Sequence, residues 1–305
     1  MTLNPLDPKL AAYLEQVRQL GSPPLWEMPI GTIRQMTDSA GDELFGAADP
    51  VAAVSDTTAY GVPVRIYEPD ADPESPPTSR AVVYLHGGGW VIGSLRSHDR
   101  LCRTLAARAG MPLVAVDYRL APEHPFPAAI EDAWAVTKWA AQRYERVAVA
   151  GDSAGGQLAT SVALRARDAG LALTLQALIY PITDHSFDTD SYREFTDPAS
   201  LDEATMRWFW DQYLPHDVVG ETQDHSPLRA VELTGVAPAL LITAEADPLR
   251  DEAEAYAERL RAAGVQVELH RYAGMTHGFI RMGAIVDQAG EGIDQVAEAL
   301  RRASV

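Results

Sequence analysis

The chain has 305 residues, of which 47% are hydrophobic and 22% charged, as in an ordinary soluble globular protein with ample length for a large buried core. Its formal net charge of −18 argues against nucleic acid or an anionic membrane surface as a partner, because no basic stripe is available to neutralise phosphates. The charge itself reads as a solvated acidic surface rather than as the sign of a cationic substrate.

The N-terminal segment lacks a basic region followed by an uninterrupted apolar run, and no apolar run approaches the ~20 residues that span a bilayer. The expectation is a cytoplasmic protein with no integral membrane segment. Residues 8–20 place Leu10, Tyr13, Leu14, Val17 and Leu20 at helical spacing and stop at Gly21. Pro23, Pro24 and Pro29 then interrupt the chain, and a weaker helical stretch over 33–45 ends near Gly46. The character changes at residue 54. Val62, Val64, Ile66 and Tyr67 predict a strand, and residues 70–79, rich in Pro, Asp and Ser, predict an exposed turn.

Short apolar runs follow at 81–85, 113–116, 147–150, 175–179, 239–242 and 265–267, the last extending to about His270. They are near-continuous, as strands buried on both faces should be. The single Cys102 lies in an apolar-periodic stretch and reads as a small buried side chain. Helical patterns at about 97–109, 127–143, 154–169, 249–263 and 286–302 alternate with the strands. The alternation predicts an α/β fold with a mostly parallel sheet and helices on both faces. Between Tyr180 and Pro238 lie almost 60 residues, more than a crossover needs. The excess reads as an inserted helical subdomain. Its aromatics, Tyr192, Phe195, Trp208, Phe209, Trp210 and Tyr213, would either line a pocket or form a small core of their own.

Gly151-Asp-Ser153-Ala-Gly155-Gly156 follows the strand at 147–150 and precedes a helix. That is the strand–turn–helix setting of a GxSxG nucleophile, in which the neighbours two residues away must lack bulk. The following helix N-terminus favours developing negative charge. His86-Gly87-Gly88-Gly89 leaves another buried strand, and three consecutive glycines let backbone N–H groups approach a reacting oxygen. A phosphate-binding loop is the competing reading, but the spacing and terminal Lys of a P-loop are missing.

A serine hydroxyl needs a base held by a carboxylate, and in this strand–helix order the acid precedes the histidine. Asp247 follows the strand at 239–242. Asp251 is a rival better suited to the first turn of the next helix, and Glu245 is a weaker one. His277 follows the last strand and is the candidate base. His270 belongs to that strand, His86 shapes its own loop, and His98, His124, His185, His216 and His225 read as surface or capping residues.

Five motifs in this order, His86–Gly89, Asp117–Glu123 with Pro125–Ala128, Gly151–Gly156, Asp247–Asp251 and His277–Phe279, resemble those of the bacterial hormone-sensitive-lipase family of carboxylesterases, a branch of the α/β-hydrolases. The resemblance runs from about residue 80 to 282. It implies Ser153, Asp247 and His277 as a catalytic triad, and Gly88, Gly89 and Ala154 as the N–H donors of an oxyanion hole. It implies structural roles for Arg119 and Glu123, and a helical cap made of residues 1–50 and 183–225 over a core of 51–182 and 226–305. It implies a homodimer, with the last strand and helix as the candidate interface.

The expected activity is hydrolysis of a small-molecule ester with short to medium acyl chains, through an acyl-enzyme, with no metal or organic cofactor. The same three residues would also serve an amide, lactone or carbamate hydrolase, and a broken triad on this scaffold would make a ligand-binding receptor.

Overall fold

In the computed structural model, residues 4–70, 79–197, 199–215 and 222–303 are described. The turn expected at 70–79 falls almost wholly outside these residues, as does His216. The chain begins with helix α1, Pro8–Leu20, whose first turn is capped by the Asp7 carboxylate and which ends at Gly21 in a left-handed conformation. Helix α2, Ile30–Phe45, follows, three residues longer at its start than its apolar spacing suggested. Strands β1, Ala53–Ala59, and β2, Val62–Glu68, form an antiparallel pair.

Then come β3, Arg80–Leu85, α3, Asp99–Ala109, β4, Leu113–Val116, α4, Ala128–Ala141, β5, Arg146–Asp152, α5, Ala154–Asp168, and β6, Gln176–Ile179. The long connection after β6 carries α6, Asp190–Glu194, and α7, Glu203–Tyr213. The chain closes with β7, Ala239–Ala246, α8, Arg250–Ala262, β8, Val267–Thr276, and α9, Asp287–Ala303. Among the described residues, no helix is long and apolar enough to cross a membrane.

The eight strands form one sheet in the order β1-β2-β4-β3-β5-β6-β7-β8. Pairings from β4 through β8 are parallel; β1 and β2 run antiparallel at one edge. Alternate residues of the central strands enter opposite cores, as a two-residue period requires. Val83, Leu85, Val147 and Val149 pack under α4, α5 and α8. Val82, Tyr84, Ala148 and Ala150 pack under α3 and α9. This is the doubly covered, mostly parallel sheet that the sequence predicted. It sets the C-terminal ends of β3, β5, β6, β7 and β8 side by side, and in open α/β sheets that edge is where ligands bind.

Candidate active site

Each chemically interesting residue stands one step beyond a parallel strand: His86 after β3, Ser153 after β5, Asp247 after β7 and His277 after β8. The turn at Ser153 is tight enough to dictate its composition. Ser153 has φ 55° and ψ −119°, a region that side-chain-bearing residues occupy only when the surroundings hold them there. A Cβ on Gly155 would come within 1.9 Å of the Leu85 carbonyl oxygen, and one on Gly151 within 2.7 Å of the same atom. The turn is therefore pressed against the end of β3 backbone to backbone, and only glycine fits at either position.

A continuous hydrogen-bonded chain joins the three candidate residues. Ser153 Oγ lies 2.9 Å from His277 Nε2, and His277 Nδ1 lies 2.8 Å from Asp247 Oδ2. The other Asp247 oxygen accepts the N–H of Leu249 at 2.9 Å, which fixes the carboxylate against its own loop. Asp247 is fully buried and the His277 side chain only 12% exposed. Such an arrangement can pass the serine proton to the imidazole and stabilise the imidazolium that forms.

The rival carboxylates are occupied elsewhere. Asp251 accepts the Ser191 N–H and pairs with Arg250 in the first turn of α8. Glu245 accepts from Asn4 and from the Gly274 N–H.

The serine opens into a cavity of about 260 Å³ whose lining includes Gly88, Gly89, Tyr180, Phe209 and Arg281. Among the described residues, the N–H groups of Gly88 and Gly89 meet no protein acceptor, whereas that of Gly87 donates to Asp152 at 2.9 Å. The Ala154 N–H is the first of α5 and so has no intrahelical partner. Leu14 and Leu25 from the N-terminal segment, and Ala199, Leu201 and Met206 from the long insertion, complete the cavity wall. Arg18 and Asp197 pair across these two segments.

The insertion's aromatics take one of the two roles anticipated for them and one that was not. Phe209 faces the cavity. Trp210 and Tyr213 instead pack on Trp90, with ring centroids 4.5 and 4.2 Å away, and join the core of the sheet rather than a separate one. Trp90 belongs to the loop that begins at His86, so the insertion is bolted to that loop.

Two histidines contradict their expected surface or capping placement. His98 and His225 are each only 1% exposed. His98 sits at the start of α3 without capping it, its Nε2 3.3 Å from the buried Asp152 carboxylate. His225 packs edge-on against Phe126 and Trp210. In both cases burial lowers the imidazole pKa. His86 behaves as expected, stacking on Tyr118 and meeting the Gly87 carbonyl within its own loop; burial lowers its pKa to about 3. Arg119 holds Asp132 and Glu123 holds Arg34, both away from the cavity. Tyr180, whose ring lies 4.5 Å from that of His277, was not singled out from the sequence. Its position directly after β6 was the available signal.

A family profile described as alpha/beta hydrolase fold matches residues 82–281. The ethyl acetate hydrolase of Pseudomonas putida is 41% identical over 97% of this chain and 99% of its own length. A carboxylesterase of Mycobacterium tuberculosis is 41% identical over 79% of this chain and 78% of its own. Among solved structures, an esterase of Pyrobaculum calidifontis superposes with a TM-score of 0.90 at 39% identity, over 98% of this chain and 99% of that one.

Proposed function

The chain belongs to the alpha/beta hydrolase fold family, within its bacterial hormone-sensitive-lipase branch, and from that membership we propose that it is a serine carboxylesterase acting on small-molecule esters through an acyl-enzyme. The observation that carries the proposal is the unbroken Ser153–His277–Asp247 chain, whose serine and histidine line an open cavity. His277 takes the Ser153 proton as the hydroxyl oxygen attacks the ester carbonyl carbon. The carbonyl electron pair moves onto oxygen, where the N–H groups of Gly88, Gly89 and Ala154 receive it; one such donor is worth roughly 3–4 kcal/mol. As the tetrahedral intermediate collapses, His277 returns the proton to the departing alcohol. Water then repeats the sequence on the acyl-enzyme and releases the acid, with Asp247 holding the imidazole in place throughout.

The cavity volume of about 260 Å³ lies just below the roughly 300–1,000 Å³ of drug-sized ligand sites, which supports short to medium acyl chains. Residues 1–50 and 183–225 act in this reading as a two-piece cap. Two observations support that: both segments supply cavity wall, and Arg18 and Asp197 tie them together. A homodimer through β8 and α9 belongs to the same proposal, because β8 is the outer strand of the sheet. A monomer by light scattering at micromolar concentration would count against it.

The test of the activity is hydrolysis of p-nitrophenyl esters of increasing chain length, with matched anilides alongside. The expected result is esters well ahead of amides, short and medium chains ahead of long ones, and Ser153→Ala inactive. Full activity in that variant would refute the assignment.

A further inference from the structure

Three consecutive glycines could offer three N–H groups to a developing oxyanion, yet one of them is already committed. The Gly87 N–H donates to Oδ1 of Asp152 at 2.9 Å, across the junction between two neighbouring strands. Asp152 is the last residue of β5 and immediately precedes Ser153. Leu85, the last residue of the adjacent β3, pairs in register with Gly151. One side chain thus reaches from the serine turn to the glycine loop.

The surroundings are built for that carboxylate. Asp152 is 3% exposed and also accepts the Tyr84 hydroxyl at 2.8 Å, with His98 Nε2 3.3 Å away. The groups facing it from the packed elements are Tyr84 on β3, His98 at the head of α3, and the Arg281 guanidinium after β8, which bonds the Ser97 carbonyl. Burial opposes the charge, but His98, Arg281 and the Tyr84 hydrogen bond outweigh it and hold the carboxyl well below its ordinary range. Gly87 is also in contact with this group: a Cβ there would come within 2.3 Å of Oδ2. The loop has no freedom to rotate its first peptide without losing a charge-assisted hydrogen bond in a dry site, and such bonds are the strong ones.

We propose that Asp152 is a positioning residue for ester hydrolysis: by capturing the Gly87 amide it fixes the peptide planes that follow and aims the Gly88 and Gly89 N–H groups at the oxyanion. The inference rests on the reading of Ser153, His277 and Asp247 given above. Asp152 touches no reacting atom; it acts through the backbone of the glycine loop. Tyr84 and His98 support it, because their bonds to Oδ1 and Oδ2 hold the carboxylate in the orientation that turns Oδ1 toward Gly87.

The test compares Asp152→Ala, Asp152→Asn and Tyr84→Phe on a p-nitrophenyl butyrate assay. Each protein is also titrated with a trifluoromethyl ketone, which forms an oxyanion on the serine, and with a non-reactive amide analogue of the ester. Asp152→Ala should lower kcat by roughly 10- to 100-fold, part of the effect of losing a whole oxyanion donor, with KM changed by no more than about threefold. Its affinity for the ketone should fall by the same factor as kcat/KM, while affinity for the amide stays level. Asp152→Asn keeps an acceptor for the Gly87 N–H and should recover most of the loss.

The proposal is overturned if Asp152→Ala keeps kcat within about twofold of wild type. It is equally overturned if lost activity tracks a smaller titratable fraction of enzyme with unchanged ketone affinity. Should Asp152→Ala fail to fold, Tyr84→Phe decides: a parallel loss of kcat/KM and ketone affinity supports the proposal, and no change in either refutes it. A failure of the triad itself would register separately, as undiminished hydrolysis by Ser153→Ala.

Discussion

The ring of Phe209 fills the space into which a side chain on Gly89 would project: a Cβ there would lie 2.2 Å from ring carbons, and Gly89 already has φ 55°. The insertion's α7 is therefore in contact with the glycine loop where both line the cavity, and the Phe209 side chain is the wall expected to limit acyl length. Phe209→Ala should raise kcat/KM for octanoyl over butyryl esters by roughly tenfold, the scale on which methylenes are discriminated in apolar pockets. It should also lower stability by about 3–5 kcal/mol, as truncation of a buried Phe does. An acyl-chain series combined with urea unfolding checks both halves. An unchanged chain-length profile in the folded variant would remove Phe209 as the limiting wall.

Arg34 of α2 fastens the N-terminal segment to the back of the same loop. Its guanidinium donates to the Val91 carbonyl at 2.9 Å and the Ala121 carbonyl at 3.0 Å, and pairs with Glu123. The two carbonyls have more at stake than the ion pair, because Glu123 is half exposed and exposed pairs contribute little. Arg34→Ala should cost about 1–3 kcal/mol, the range for leaving buried acceptors unsatisfied, whereas Glu123→Gln should stay within about 0.5 kcal/mol of wild type. Equal losses in the two variants by thermal or urea unfolding would contradict this division.

Much of this was legible from the chain alone, and the omissions have physical causes. The central strands declared themselves because burial on both faces demands continuous apolar runs, as in Ala81–Leu85. The serine turn was legible because steric crowding leaves only glycine able to fit two residues to either side of Ser153. Strand β1 was missed: Ala53–Ala59 is an exposed edge whose Ser-Asp-Thr-Thr stretch has no apolar alternation to read. Strand β8 continues past His270 to Thr276 because pairing with β7 resumes after a bulge near Ala244, which a sequence pattern does not reveal. His98 and His225 precede Asp247 in the chain and on that ground read as surface or capping residues. Their burial is a tertiary effect, set for His98 by a carboxylate 54 positions along the chain and for His225 by two aromatic rings. An aspartate closing a strand buried from Val147 onward was the signal that Asp152 needed partners.

Burial lowers the pKa values of His86, His98 and His225, His86 from 6.5 to about 3. The fold therefore refuses protons that the unfolded chain takes up below pH 6.5. Stability should be fully present above that pH and fall as pH drops toward the folded values, by up to about 1.4 kcal/mol per pH unit for each withheld proton. His225→Gln isolates one such group away from the cavity. The stability gap between wild type and this variant should narrow between pH 7.5 and 5.5 in urea unfolding; a constant gap would contradict the assignment.

Glu252 has the opposite sign. It is 1% exposed and accepts the N–H groups of Thr183 and Asp184, and burial raises its pKa well above 4.5. The folded protein keeps a proton that the unfolded chain releases, so this contribution is fully present below about pH 4.5 and lost as pH rises toward the folded value. Glu252→Gln imitates the protonated form, and its stability relative to wild type should increase from pH 5 to pH 8. A difference that does not change with pH would mean that Glu252 is ionised in the fold.

Ser153, activated through His277 and Asp247, is the proposed nucleophile. The most direct measurement is peptide mapping by mass spectrometry after inactivation with one equivalent of a fluorophosphonate. The expected result is one adduct per chain, on Ser153, appearing in step with loss of esterase activity and absent from denatured protein. Inactivation with the adduct on any other residue, or labelling of Ser153 that leaves hydrolysis intact, would contradict it.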